Sequence, residues 1–229
     1  MTTKHTFAIG DVHGCYSELI QLLEFSPIKE SDQLVLLGDY VDRGPDSARV
    51  IQFLVEESER RDIATLKGNH ELMMASARHD ISSRRSWAMC GGDATWDSYC
   101  REYGAGGLDV VPDTHWAFIQ SCLPFFETAN HVFVHAALCG DLPLDEQPDY
   151  MLYWESFNSI TPLESGKIVV CGHSSQKDGI PKNIGHAICI DTWACGSGWL
   201  TCLNVDTGKY YQVNRSGEKR SDWLEDMHE

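Results

Sequence analysis

An α/β fold with a β-rich C-terminal part is the class this sequence predicts, on three observations. Short apolar runs of strand type recur along the chain, helical stripes lie between the early ones, and Asp206-Thr207-Gly208 separates the last two runs as a hairpin turn would. The strand-like runs are Thr6 to Ile9, Gln33 to Leu37, Ile63 to Leu66, His131 to Val134, Lys167 to Val170, Ala187 to Ile190, Leu200 to Val205 and Lys209 to Val213. Tyr16, Leu19, Ile20 and Leu23 recur at the i, i+3, i+4, i+7 spacing of one helix face. Val50, Ile51, Leu54 and Val55 form a second apolar stripe behind a cap at Asp46 or Ser47. The first part therefore reads β-α-β-α-β.

Length and composition point to one domain over residues 1–229, because 229 residues with 42% hydrophobic side chains suffice for a core. No Pro-rich or Gly/Ser-rich linker and no repeat divides the chain. The opening, MTTKHTFAIGDVHG, lacks the apolar core of a signal peptide, and no run of some 18 apolar residues suits a membrane span. Nine cysteines, an odd number without a CxxC pair, suit reduced thiols in a cytoplasm. A net charge of -16 opposes binding to nucleic acid or anionic membrane, both of which need a basic surface. An acidic chain that holds an anion needs local positive charge, which bound divalent metals would supply.

Polar motifs follow the strand-like runs directly. Gly10-Asp11-Val12-His13-Gly14, Gly38-Asp39-Tyr40-Val41-Asp42-Arg43-Gly44, Gly68-Asn69-His70-Glu71, His135 and Gly172-His173 each stand where an α/β sheet places its ligands, beyond the carboxyl ends of strands. Taken singly each is weak: Asp11 suits a helix cap, Asp42 and Arg43 a solvated ion pair, and His135 and His173 core imidazoles. Together they assemble carboxylate, imidazole and amide ligands, the mixture that first-row divalent ions take. An Asp can bridge two such ions about 3.5 to 4 Å apart, a pair that clamps a phosphoryl group and acidifies a water.

At these residues the sequence resembles the phosphoprotein phosphatase branch of the calcineurin-like metallophosphoesterases, whose blocks GDxHG, GDxVDRG and GNHE are all complete here. By length, by Cys90-Gly91-Gly92 and by Ile190-Asp191-Thr192 it is most similar to the bacterial and bacteriophage-lambda-type serine/threonine protein phosphatases. Symmetrical bis(5'-nucleosyl)-tetraphosphatases share much of this pattern. The resemblance implies a four-layer αββα sandwich; the spacing of the motifs leaves a cap-like segment over about 75–126, and a polar tail is expected over about 214–229.

It also implies roles. Asp11, His13 and Asp39 would hold one divalent metal, and bridging Asp39, Asn69, His135 and His173 the other. Water between the two ions would attack phosphorus. His70 would be the general acid, oriented by Asp42, while Arg43, with Asn69 and His70, would bind the phosphate. Glu71 reads as a structural partner. Mn²⁺ suits the His-containing set better than Ca²⁺; Fe, Zn and Mg are the other candidates.

Three departures stand out: Ala136-Ala137 after His135, Trp193 where the related pattern reads Ile-Asp-Thr-Gly, and Ser156 where a second phosphate-binding arginine is common. Arg84 or Arg85 are the candidates to replace it. The expected substrates are phosphorylated proteins or peptides. The alternative, a dinucleoside tetraphosphate, needs an adenine-stacking ring, for which Trp87, Trp96 and Trp193 are available. A catalytically silent phosphoprotein-binding module would show damage in the ligand set, and the set is intact.

Overall fold

The computed structural model describes residues 4–224. The elements run β1 (Thr6–Ile9), α1 (Tyr16–Phe25), β2 (Gln33–Leu36), α2 (Ser47–Arg60), β3 (Ile63–Thr65), α3 (Asn69–His79), α4 (Ile81–Trp87), α5 (Asp93–Tyr103) and α6 (Asp113–Ser121). They continue with β4 (Phe125–Glu127), β5 (His131–Val134), α7 (Asp149–Trp154), β6 (Ile168–Cys171), β7 (Lys182–Asn183), β8 (Ala187–Cys189), β9 (Trp199–Asn204), β10 (Lys209–Asn214) and β11 (Lys219–Trp223).

Two sheets result. One is ordered β11-β10-β9-β1-β2-β3, with β1, β2 and β3 parallel and the last three strands antiparallel; the other is ordered β4-β5-β6-β8-β7. Strand alternation sorts the side chains into layers. Ala8, Val35 and Leu37 of the first sheet meet Phe133, Val170 and Ile188 of the second between the sheets. Phe7, Ile9, Leu34 and Leu36 point the other way, onto Leu19 and Leu22 of α1 and Val50, Ile51 and Leu54 of α2. Val132, Val134, Val169 and Cys171 turn outward onto Met151, Leu152 and Tyr153 of α7. Helices on both outer faces of two packed sheets make the four-layer αββα sandwich that the resemblance implies, with each buried Leu, Ile or Val contributing about 1.5–3 kcal/mol.

The structure refines several sequence expectations. Asp46 occupies the cap position of α2, yet its side chain makes no cap bond, and Ser47 is the first helical residue. Strands β4 and β7, three and two residues long, are too short to register as strand-like runs, and β11 is mostly polar. The polar tail is corrected over its first part: Lys219–Trp223 pairs with β10 as an exposed edge strand, and residues 225–229 lie outside the described residues. The 75–126 segment places Trp87, Tyr99, Trp116, Phe118 and Ile119 in the core cluster shared with α1 and α2.

His115 ties three of those helices together. Its ring is fully buried, with Nδ1 2.9 Å from the Tyr99 hydroxyl on α5 and Nε2 2.9 Å from Gln52 Oε1 on α2. The neutral ring with Nε2–H satisfies both contacts, donating to Gln52 and accepting from Tyr99. Burial pushes its pKa down to about 4 from an ordinary 6.5. A depressed histidine pKa stabilises the fold above its unfolded value, and that stability is lost as pH falls from about 6.5 toward 4. Thermal unfolding in chelator should therefore show a midpoint that declines over this window, and His115→Gln should flatten the decline; an equal slope in both proteins would refute the assignment.

Candidate metal centre

Every candidate ligand sits on the backbone just past a strand, and three of the six, with the neighbouring Asp42 and Arg43, occupy strained positions. His13, Asp39, Asp42, Arg43 and His173 all have positive φ, between 44° and 73°. Such a conformation costs a non-glycine residue on the order of 1–3 kcal/mol and persists where surrounding bonds fix it. Here backbone bonds do: Val12 and His13 N–H donate to the Asp39 carbonyl, and Gly14 N–H to Tyr40. The sequence motifs suggest that the flanking glycines relax these turns. Two of the glycines have a different use. A Cβ on Gly68 would stand 2.1 Å from Asp39 Oδ1, and one on Gly172 2.0 Å from Asp11 Oδ1, so both glycines let backbone reach a carboxylate.

Asp39 is the centre. Its carboxylate is 3.5 Å from His13 Nε2 on one side and 3.4 Å from His135 Nε2 on the other. Ligand atoms of His13, Asp39 and His70 form one compact group, and those of Asp39, His135 and His173 a second. Asp39 Oδ1 also accepts the His70 N–H at 3.1 Å, which seats the carboxylate at the positive N-terminus of α3. Asn69 Oδ1 joins the second group, 3.0 Å from His135 Nε2. Asp11 lies beside the cluster: both its oxygens accept the His173 N–H at 3.1 Å, and it shares neither compact group.

The tautomers test whether this cluster fits cations. His13 Nδ1 is 2.8 Å from the Val41 carbonyl and His135 Nδ1 is 2.9 Å from the Leu37 carbonyl, so each Nδ1 carries the proton. Each Nε2 therefore turns a lone pair toward the oxygens of Asp39, and for His135 also toward Asn69. Acceptors facing acceptors in a buried site are stable only with positive charge between them. Burial adds to this: it pushes the Asp39 and Asp11 carboxyls up, with Glu71 and Asp191 raising them further through like charge, and it holds His13 and His135 neutral. The set fits two divalent cations sharing Asp39. Arg43 supplies part of that charge here, with its exposed guanidinium donating to His13 Nε2 at 2.7 Å, and a metal at His13 would release it.

The Asp42–His70 pair is buried, with His70 reaching the first group and Asp42 on its far side. His70 Nδ1 is 2.6 Å from Asp42 Oδ2, and the Asp42 carboxylate also accepts from Trp87 Nε1 at 2.9 Å and Thr95 Oγ1 at 2.8 Å. Burial lowers the His70 pKa to about 3 and raises that of Asp42 to about 7. Trp87 and Thr95 are the residues sequence reasoning missed in this role. Trp87 entered it only as a stacking ring, and nothing local in the segment marks either residue as a partner of Asp42. Asp191, buried beside Asp11, accepts from Ser175 Oγ at 2.5 Å and Trp193 N–H at 2.9 Å. Arg84 turns away from the cluster, its Nε donating to the Ala77 carbonyl at 2.8 Å, and Arg85 is solvent-exposed on α4.

A family model described as calcineurin-like phosphoesterase matches residues 5–190. Serine/threonine-protein phosphatase 1 of Salmonella typhimurium is 40% identical over 93 residues, which cover 39% of this chain and 40% of that protein. The symmetrical bis(5'-nucleosyl)-tetraphosphatase of Klebsiella pneumoniae is 25% identical over 95% of this chain and 97% of its own length. A crystal structure described as that of a candidate diadenosine tetraphosphatase superposes with a TM-score of 0.65 at 20% identity, covering 98% of this chain and 96% of its own. The family match spans the ligand cluster that Asp39 centres, and the chain belongs to the calcineurin-like phosphoesterases as a metal-dependent phosphoesterase.

Proposed function

We propose that the chain hydrolyses phosphoserine and phosphothreonine in proteins or peptides. The carrying observation is the fate of the segment between α3 and β4. Its large side chains are committed away from the ligand cluster: Trp87 and Trp116 are buried, Trp87 with its indole N–H on Asp42, and Trp96 packs against Gly107 along the cavity between α4 and α5. On this reading an extended phosphorylated chain would approach the ligand cluster past exposed Arg43. The Salmonella typhimurium phosphatase supports the same reading over the stretch it shares.

Asp11, His13, Asp39, Asn69, His135 and His173 would hold two divalent ions, with Mn²⁺ the expected pair. Such ions would supply positive charge for the phosphoryl oxygens and a water of lowered pKa. The remaining work falls to this chain's own side chains. Arg43 is exposed and presents a planar fork of donors to the phosphate oxygens. His70 gives a proton from Nε2 to the leaving oxygen, and Asp42 on Nδ1 keeps the ring oriented for that transfer. In the dry site the ring resists a second proton; an incoming phosphate dianion offsets this by attraction, so the acid is armed as substrate arrives.

A second reading, dinucleoside tetraphosphate cleavage, is favoured by one observation. Trp154 is 48% exposed and its carbonyl lies 3.3 Å from His173 Nε2, which leaves an indole at the rim of the site. Trp193 is a second ring nearby, on the loop whose Asp191 neighbours Asp11.

His70→Asn should lower kcat by about 10²- to 10⁴-fold with metal content near wild type, whereas Asp39→Asn should lower metal content and rate together. Metal analysis of purified proteins separates the two; equal metal loss in both variants would reject this division of roles. Initial rates provide the substrate test: kcat/KM on a phosphothreonine peptide should exceed that on diadenosine tetraphosphate. Trp193 has a φ of 64°, which glycine adopts freely, so Trp193→Gly should retain peptide hydrolysis. A wild-type preference for the dinucleotide that collapses in this variant would transfer the proposal to the second reading.

A further inference from the structure

The elbow between α4 and α5 fixes the catalytic pair with its inner side and leaves its outer side open. Inward, Trp87 donates to Asp42, and the Gly91 carbonyl accepts the Arg43 N–H at 3.0 Å. Outward, Ile81 is 79% exposed and Met89 81%, the largest exposures among the large apolar side chains of the described residues. Between the two helices runs a cavity of about 420 Å³, lined mainly by apolar surface including Ala88 and Trp96. Its rims carry opposite charges, Arg84 and Arg85 on α4 and Asp93 and Asp97 on α5. Among the described residues, Arg85 and Asp97 have no salt-bridge partner, and both are exposed.

We infer that this face binds a second copy of the same chain about a two-fold axis. A surface with a basic rim, an apolar centre and an acidic rim complements itself when rotated by half a turn, because each rim then meets its opposite. It also carries its own plug: exposed Met89, a flexible apolar side chain, suits the partner's apolar cavity. Elsewhere the acidic surface of a chain with net charge -16 repels a second copy, but ordinary salt screens that repulsion beyond about 10 Å. The backbone that presents the patch is already pinned by Trp87 and Gly91, so docking orders little. A basic-only face would suit an acidic peptide instead; Asp93 and Asp97 on the opposite rim argue for the second copy.

Sedimentation velocity over about 1 to 100 µM protein tests this. Wild type should show a concentration-dependent dimer. Met89→Asp, Arg85→Asp and Asp97→Arg should each weaken it by about tenfold or more, and Arg85→Asp combined with Asp97→Arg should recover most of the loss. Circular dichroism and the thermal midpoint, expected to match wild type, show that the variants fold. A wild-type monomer throughout the range, or a dimer indifferent to Met89→Asp, would overturn the inference. If wild type is monomeric and Met89→Asp raises KM for a phosphopeptide, the face belongs to substrate docking and the inference is equally overturned.

Discussion

One buried carboxylate holds the centre of this molecule in shape. Glu71, fully excluded from solvent, accepts the backbone N–H groups of Gly68 and Asp39 at 2.9 Å, of Tyr40 at 2.8 Å and of Val41 at 3.3 Å. These four donors come from two loops that are distant in sequence, and Glu71 itself opens α3. Burial pushes its pKa up to about 7 while the amides of Gly68, Tyr40 and Asp39 pull it down, so the loop geometry and the charge stabilise each other. Hydrogen bonds to a charged group contribute about 1.5–3 kcal/mol each, enough to hold the positive φ of Asp39 and Asp42 against their strain.

From that anchor the chemistry follows by short steps. The Asp39 loop leads into Val41, whose carbonyl fixes the His13 tautomer, and then into Asp42, which takes the proton-bearing side of His70. The Leu37 carbonyl, just before the loop, does for His135 what Val41 does for His13. Two imidazoles are thereby turned with lone pairs inward around one carboxylate. Positive charge placed among them would resolve the resulting acceptor cluster. Arg43 leaves the same loop at the exposed edge of the cluster, its guanidinium donating to His13 Nε2.

Much of this was legible in sequence because strand ends and ligand motifs coincide there. Asp39, His13, His135 and His173 were singled out since each follows an apolar run short enough to be a strand, and Gly68-Asn69-His70-Glu71 because it follows the run Ile63 to Leu66; that helix α3 begins there is added by the structure. The layered fold was legible only through resemblance: apolar runs marked eight of the eleven strands, but not that they divide into two sheets. Trp87 and Thr95 stayed hidden because their bonds to Asp42 span 45 and 53 residues, and no local pattern encodes so long a contact. Strand β11 stayed hidden because an exposed edge needs no apolar alternation, and Lys219 and Asp222 look like a solvated tail.

The most direct test of the central claim is calorimetric titration of metal-free Glu71→Gln with Mn²⁺. Glutamine keeps the size of the side chain but replaces one acceptor oxygen with an NH₂ group that opposes a backbone N–H. The account predicts a protein that still folds yet binds Mn²⁺ at least about tenfold more weakly, a loss of about 1.4 kcal/mol. Wild-type affinity and stoichiometry in a folded variant would contradict it, since the metal centre would then not depend on the carboxylate beneath it.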